Sequence, residues 1–196
     1  MAYTLPFHPS LSIHDKHFSV ASRIRLGLPP VDDLKSCSCR TSLRANPLHF
    51  LDCRILRSLT TVRHDRLLHT LARIARSAGI AVMVEPRLGK DDLKRTDANF
   101  YFSSCGTEID VSVVHPSSAS FFKLACKPLG AAQERENRKN QMYLKRTQNK
   151  GSAFYPVVFE SYGASGSRAR DFIRLLNDEA STNGIHKLQG LSGPTS

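Results

Sequence analysis

The stretch KRTDANFYFSSCGTEIDVSVVHP, residues 94–116, predicts the central part of the fold. Two short apolar runs flank a Ser-Ser-Cys-Gly turn, and each run carries one carboxylate, Asp97 in the first and Asp110 in the second. In the second run apolar residues alternate with polar ones, which is the pattern of a strand with one packed face. The apolar positions are Ile109, Val111 and Val113. We therefore expect two neighbouring strands, with Asp110 and Ser112 pointing away from the packed side.

A polar helix, AAQERENRKNQMYLKR at residues 131–146, follows these strands. Side chains two apart on a strand lie side by side, so a carboxylate and a lysine at that spacing can hold a divalent cation and steer a water. The second position here is the uncharged Ser112, and Lys139 of the helix is our candidate for the missing cation. Glu136, Lys139 and Tyr143 are spaced by three and four and are expected to share one face.

The other basic residues of this helix favour two interpretations. A charge-rich helix is usually a solvated face, but its place after the Asp110 strand also suits contacts with phosphates. The candidate nucleic-acid-binding residues are Arg135, Arg138, Lys145 and Arg146.

The flanking segments predict the rest of an α/β fold. A helical pattern begins at Asp65 and stops at Gly79, and the apolar run IAVMVEP then ends in Glu85, a candidate third metal ligand. FYPVVFE reads as a buried strand with Pro156 near an edge, and a final helix starts at a Ser167 cap. We expect a four-stranded mixed sheet in the order helix, three strands, helix, strand, helix.

A cluster of sulfur and imidazole ligands precedes this core. The spacing is Cys37-x-Cys39, nine residues, His49, three residues, Cys53, and three thiolates with one imidazole suit tetrahedral zinc. Ordinary buried thiols are the alternative. The chain has five cysteines, an odd number that argues for reduced thiols or metal ligands over a disulfide framework.

Composition limits the function classes. A chain of 196 residues with 40% apolar content can bury one good core, and its formal charge of +11 fits a phosphate-bearing partner, although membranes and acidic proteins stay open. No run reaches the length of a transmembrane helix, and the first residues lack the features of a secretion signal. We expect a soluble, intracellular protein.

Five segments together resemble a known family. RHDRLLHTLARIARSAGIAVMVEP, RTDANF, EIDVSVVHP, NRKNQMY and FYPVVFESYG follow, in order, the restriction-enzyme-like PD-(D/E)xK core at the C-terminal end of some non-LTR retrotransposon polyproteins. The resemblance covers residues 63–176. Thr96 stands where that family usually has Pro, Ser112 where the commonest nuclease motif has Lys, and Arg40 where the CCHC zinc knuckle has Gly.

The resemblance implies a Mg²⁺- or Mn²⁺-dependent endonuclease. Asp97 and Asp110 would hold the catalytic metal with Glu85 as a further acid, and Cys37, Cys39, His49 and Cys53 would hold a structural zinc. The implied partners are DNA, possibly RNA, and a reverse transcriptase in cis or in trans; no membrane partner is implied. In a eukaryote the expected compartment is the nucleus.

Four regions and two functions follow. We expect an arm or linker at residues 1–33, a zinc-knuckle-like module at 34–62, a restriction-endonuclease-like domain at 63–180 and a disordered tail at 181–196. The first function is a DNA endonuclease that nicks its target. The alternative is a catalytically inactive, retroelement-derived remnant that binds nucleic acid, in which Ser112 marks a lost site.

Overall fold

A computed structural model of the chain describes residues 13–85 and 95–184. The chain divides into two compact units between Arg57 and Ser58. The first unit contains helix α1, Asp15–Arg25, and a short 3-10 helix, His49–Leu51. The second contains, in order, α2 (Arg57–Ser77, which begins at the boundary), β1 (Ala81–Val84), β2 (Ala98–Tyr101), β3 (Gly106–Val114), α3 (Gly130–Asn149), β4 (Ala153–Glu160) and α4 (Ser167–Thr182). This confirms the expected mixed α/β architecture and its order of elements.

The four strands form one sheet in the order β1-β2-β3-β4. β1 with β2 and β2 with β3 are antiparallel, whereas β3 and β4 are parallel and connected through α3. The predicted mixed sheet is therefore confirmed. Pro156 is tolerated because β4 is the last strand of the sheet, where a missing N–H need not interrupt a ladder on the outer side.

One face of the sheet packs against α2 and α4. Aromatic residues dominate this core, and the ring of Phe172 meets the ring of Phe100 edge-on at 5.0 Å between centroids. The apolar residues of α2 recur at three and four, which turns one stripe of the helix to the sheet. The buried core residues are Leu68, Leu71, Ala75, Ala78, Ile80, Ala98, Phe100, Phe102, Ile109, Val111, Val157, Ala169, Phe172, Leu176 and Ala180.

The opposite face of β3 and β4 is covered by α3. Ala131 and Ala132 pack against Val114 and Val158, and further along the helix the ring of Tyr143 lies 5.4 Å from that of Phe154. Asp110 does point to the face opposite Ile109 and Val111, as expected, but α3 covers that face as well and the residue is only 3% exposed. The helix that crosses from one parallel strand to the next buries the face that the alternating pattern left polar.

Helix bounds differ in three places from the sequence-based prediction, the first being α3, which runs from Gly130 to Asn149 rather than over residues 131–146. α2 begins at Arg57, eight residues before Asp65, because no Gly or Pro interrupts residues 57–64 and the apolar stripe starts only where the helix reaches the sheet. α4 continues to Thr182, into the predicted tail. The rest of that tail, from residue 185, and residues 1–12 of the predicted arm lie outside the described residues.

The predicted domain boundaries at residues 33, 62 and 180 stay predictions. Within residues 13–85 and 95–184, no helix is both long enough and apolar enough to cross a membrane.

Candidate functional site

The backbone places Asp97 and Asp110 next to each other. Asp97 lies just before β2, where its N–H donates to the carbonyl of Ile109 at 2.9 Å. Its side-chain Oδ2 accepts from the N–H of Val111 at 2.6 Å. The carboxylate of Asp97 is thus fixed beside the middle of β3, which carries Asp110. Burial, and then the nearby charge of Asp97, raise the pKa of Asp110.

Lys139 reaches this acid pair from α3. Its Nζ lies 2.5 Å from Oδ1 of Asp110, and the two side chains are 15% and 5% exposed. The same ammonium lies 5.6 Å from the ring centroid of Tyr143. Burial, and then the charge of Asp110, raise the pKa of Tyr143 to about 12, so the phenol remains protonated at neutral pH. Asp97, Asp110, Lys139 and Tyr143 therefore form one cluster, the acid–lysine site.

Two arginines of α3 also face β3. Nε of Arg135 donates to Oγ of Ser112 at 3.4 Å, and Nη2 of Arg146 lies 3.9 Å from Oε2 of Glu108. Since Glu108, Asp110 and Ser112 alternate along the strand, α3 sets one cation opposite each of three successive residues on that face. Sequence reasoning did not single out Glu108, although the polar residues of E-I-D-V-S at a period of two could have revealed it.

The candidate nucleic-acid-binding residues consequently fall into two groups. Arg135 and Arg146 are partly buried against β3. Arg138 and Lys145 are exposed, and Arg138 pairs with Glu134 one helical turn away at 2.7 Å. Only the exposed pair is open to a large ligand without rearrangement of the helix.

Glu136 has a different partner from Lys139 and Tyr143. It is 1% exposed, and its carboxylate caps the start of α4, accepting from Oγ of Ser167 at 2.9 Å and from the N–H of Arg168 at 3.0 Å. A Cβ at Gly166 would lie 2.1 Å from Oε1 of Glu136, so a larger residue there would displace the carboxylate from its cap. Glu136, Lys139 and Tyr143 were expected to share one face of the helix. Lys139 and Tyr143 belong to the acid–lysine site, whereas Glu136 contacts α4.

Glu85 adjoins Asp97 through its backbone. Its N–H donates to the carbonyl of Asp97 at 2.7 Å, and its positive φ of 48° turns the chain at the end of β1. The residue is exposed. Its role as a third ligand stays a prediction.

His64 is a site residue that the candidates from the sequence did not include. Its Nε2 lies 2.9 Å from Oδ2 of Asp97, and its Nδ1 lies 2.9 Å from Oδ1 of Asp65. The hydrogen bond with Asp97 is the main cause that raises the pKa of His64 to about 9. The two partners are 33 residues apart in the chain, so no local pattern could have joined them.

The first unit contains a second cluster. The N–H of Arg40 donates to the carbonyl of Cys37 at 2.8 Å, which closes a tight turn with Arg40 at φ 69° and brings Cys37 and Cys39 together. His49 begins the 3-10 helix and Cys53 follows it. The four ligand atoms of Cys37, Cys39, His49 and Cys53 all lie within 4.8 Å of one another.

This cluster has the donor set and spacing that zinc needs. Zinc–ligand bonds of about 2.0–2.3 Å put tetrahedral ligand atoms roughly 3.5–3.8 Å apart, so the four atoms are close enough to share one ion and the Cys39–His49 pair would open by about 0.6 Å to hold it. Sγ of Cys39 lies 2.9 Å from Nε2 of His49, and the Thr41 hydroxyl is the main cause that lowers the pKa of Cys39 to about 6. A lowered pKa favours the thiolate, the form that binds metal. The cluster can therefore hold a structural zinc ion.

Neither protein-family models nor curated proteins give a match to this chain.

Proposed function

We propose that this chain is a metal-dependent DNA endonuclease that nicks its target, with a restriction-enzyme-like core similar to the endonuclease of non-LTR retrotransposon polyproteins. The contact between Lys139 and Asp110, beside Asp97, carries the proposal. It sets two carboxylates and one ammonium together at a single point of a basic protein. A nuclear location in a eukaryote and a reverse transcriptase partner in cis or in trans belong to the same proposal.

Asp97 and Asp110 fit a divalent cation by their chemistry. Burial and the neighbouring Asp97 raise the pKa of Asp110, which means that two negative charges lie close together where water screens them poorly. Hard cations such as Mg²⁺ and Mn²⁺ prefer carboxylate oxygens and would relieve this repulsion. When bound, such an ion supplies a Lewis acid that polarises a phosphoryl oxygen and lowers the pKa of a water.

Lys139 supplies the positive charge that the strand lacks. Ser112 is neutral and accepts a hydrogen bond from Arg135, whereas Lys139 points its ammonium at Asp110. An ammonium held there can orient the attacking water and stabilise charge that develops on the phosphate. Tyr143, which remains protonated, can act only as a hydrogen-bond donor to the anions of the site.

His64 holds Asp97 in place. Nε2 of His64 lies within hydrogen-bond distance of Oδ2 of Asp97, and the same oxygen accepts from the N–H of Val111. Because both contacts use Oδ2, Oδ1 of Asp97 is left available as a metal ligand. Hydrogen bonds to ligating carboxylates are a general means of orienting them. His64 is therefore a positioning residue in this proposal.

DNA would contact the exposed basic residues of α3. Arg138 and Lys145 are solvent-exposed on the same helix that carries Lys139, and the chain has a formal charge of +11. Cations in that position contact phosphates without reading sequence. The zinc cluster would stabilise the first unit as a separate nucleic-acid-binding module.

The test is nicking of supercoiled plasmid in the presence of Mg²⁺. Replacing Asp97 by Asn keeps the size of the side chain but weakens its hold on the cation, so nicking should fall at least about 10²-fold while DNA binding survives. Arg138→Ala is the matched control, since it removes an exposed cation of the same helix and should leave the chemical step intact.

The inactive remnant is the second candidate, and Ser112 favours it because that residue leaves the strand without its usual ammonium. A remnant would bind duplex DNA with a steep salt dependence and would not nick it. Replacing both Arg138 and Lys145 by Ala should reduce the slope of log affinity against log salt by roughly 0.9 for each phosphate that the protein no longer neutralises. Wild-type protein that binds in this manner but shows no metal-dependent nicking would establish the remnant.

A further inference from the structure

The sheet face that carries Asp110 is exposed over the part formed by β1 and β2. Over β3 and β4 this face lies under α3, as the contacts of Tyr143 with Phe154 and of Lys139 with Asp110 indicate. On β1 and β2, Met83 is 49% exposed and Tyr101 is 46% exposed. Large apolar side chains at this level of exposure lie directly beside a buried polar site.

Strand register shows that these side chains share the face of the acid–lysine site. Asn99 is paired with Met83 on one side and with Glu108 on the other, and Tyr101 is paired with Ala81 and Gly106. Residues in register point to the same side of a sheet, and Glu108 is two residues before Asp110 on that side.

Gly106 places no side chain next to Tyr101 on β3. We call the surface formed by Met83, Asn99 and Tyr101 the sheet floor.

α3 forms a basic border along this floor. Arg146 approaches Glu108, the residue paired with Asn99, and Lys139 approaches Asp110. Both of these cations are paired with carboxylates of β3, and the exposed cations of the same helix are Arg138 and Lys145. The surface therefore combines an exposed aromatic ring and an apolar neighbour with a bordering helix that carries exposed cations. Nucleic acid has the complementary chemistry, since it carries flat bases and a continuous row of phosphates.

The aromatic component distinguishes unpaired from paired nucleic acid. In a duplex the base faces stack on one another and are closed to a protein side chain, whereas unpaired bases can stack on tyrosine. A basic groove with an aromatic platform is the combination that proteins use to hold single strands.

We propose that the sheet floor binds unpaired bases of a DNA strand next to the cut, with Tyr101 as the stacking platform. The preferred substrate of this protein is then a junction of single- and double-stranded DNA rather than an uninterrupted duplex. This inference rests on the proposed endonuclease function and specifies its substrate.

The distance along the chain from Tyr101 to Asp97 indicates how far the stacked base lies from the cut. Tyr101 is four residues beyond Asp97, which is about 13 Å along an extended chain. A helical strand advances about 3.4 Å along its axis for each phosphate. The stacked base should therefore lie roughly four nucleotides from the cut, and closer if the strand is stretched.

The test uses forked DNA with 2-aminopurine placed at successive positions of the single-stranded arm, with Ca²⁺ instead of Mg²⁺ in the buffer. Stacking on an aromatic ring quenches this base, so wild-type protein should quench it at one or two adjacent positions. Tyr101→Ala should abolish the quenching and weaken binding of the forked DNA about 5- to 100-fold, while affinity for uninterrupted duplex stays unchanged. Tyr101→Phe should behave as wild type.

Phe122→Ala is the matched control, because Phe122 is 69% exposed and follows the opposite end of β3. Met83→Ala is a second test of the floor and should weaken fork binding in the same direction. Equal fork affinity in wild type, Tyr101→Ala and Met83→Ala would overturn the inference, as would an equal loss for fork and duplex. If quenching occurs but no DNA is nicked with Mg²⁺, the endonuclease proposal fails and the floor remains as a binding surface.

Discussion

Replacing Lys139 by Ala should damage both the stability and the chemistry of this protein. The lysine pairs with Asp110 at 2.5 Å, and both side chains are largely buried at 15% and 5% exposure. Breaking a buried ion pair by removing one partner costs about 3–5 kcal/mol, because the other charge is left without compensation. Arg135 also acts on Asp110 and offsets part of this loss, so we expect a cost of about 2–4 kcal/mol.

Urea denaturation measures this cost. With a dependence of about 2 kcal/mol per molar urea, the midpoint should fall by roughly 1–2 M. Arg138→Ala is the control from the adjacent position: its exposed pair with Glu134 is worth about 0.3–0.5 kcal/mol, so the midpoint should barely move. Adding Asp110→Asn to Lys139→Ala should restore part of the lost stability, since the buried charge is then gone.

Nicking by the same variant tests the chemical role. Loss of an ammonium next to the attacked phosphate should lower the rate about 10²-fold or more under conditions where the protein remains folded. Ser112→Lys should restore only part of the rate, because Arg135 already occupies the surroundings of Ser112 and would repel a second cation. A Lys139→Ala protein that matches Arg138→Ala in urea midpoint, and in nicking rate at protein concentrations that saturate the DNA, would show that Lys139 has neither role.

The remaining predictions concern His64, the zinc cluster and its turn. The hydrogen bond with Asp97 raises the pKa of His64 from 6.5 to about 9, so its stabilisation is full below pH 6.5 and is lost as the pH rises through 9. After allowance for solvent screening, the free energy of unfolding without added Mg²⁺ should fall about 1–2 kcal/mol more between pH 6 and 9 in wild type than in His64→Gln. Metal analysis of freshly purified, reduced protein should find about one zinc per chain, removed by chelators with loss of structure in the first unit; zinc-free folded protein would refute this. Arg40→Gly should raise the free energy of unfolding of that unit by about 0.5–1 kcal/mol, because Arg40 holds a φ of 69° that glycine adopts without strain, and an unchanged thermal midpoint would contradict it.

Local patterns were sufficient to predict the elements. The alternation in residues 108–114 and the three-and-four spacing in α2 and α4 are properties of short segments, so the order of helices and strands follows from them. The same applies to the zinc ligands, whose tight spacing requires only one turn and one short helix to bring them together.

Contacts between distant segments account for what the sequence could not show. Alternation predicts that Asp110 shares a face with Ser112, but only the path of α3 determines that this face is buried. His64 reaches Asp97 because α2 begins early and passes the end of β2. Glu136 is committed to the N-terminus of α4, a helix that begins 31 residues later, and no spacing within α3 reveals that.

Relaxation of supercoiled plasmid by wild type and Asp110→Asn, measured side by side over a range of Mg²⁺ concentrations, tests the central claim most directly. Asp110 belongs to the acid pair, contacts Lys139 and would bind the proposed cation. We expect Mg²⁺-dependent open circles with wild type and a rate at least about 10²-fold lower with Asp110→Asn, at equal DNA binding. Equal nicking rates for the two proteins, or wild-type nicking that does not depend on the cation, would contradict the proposed role of the acid–lysine site.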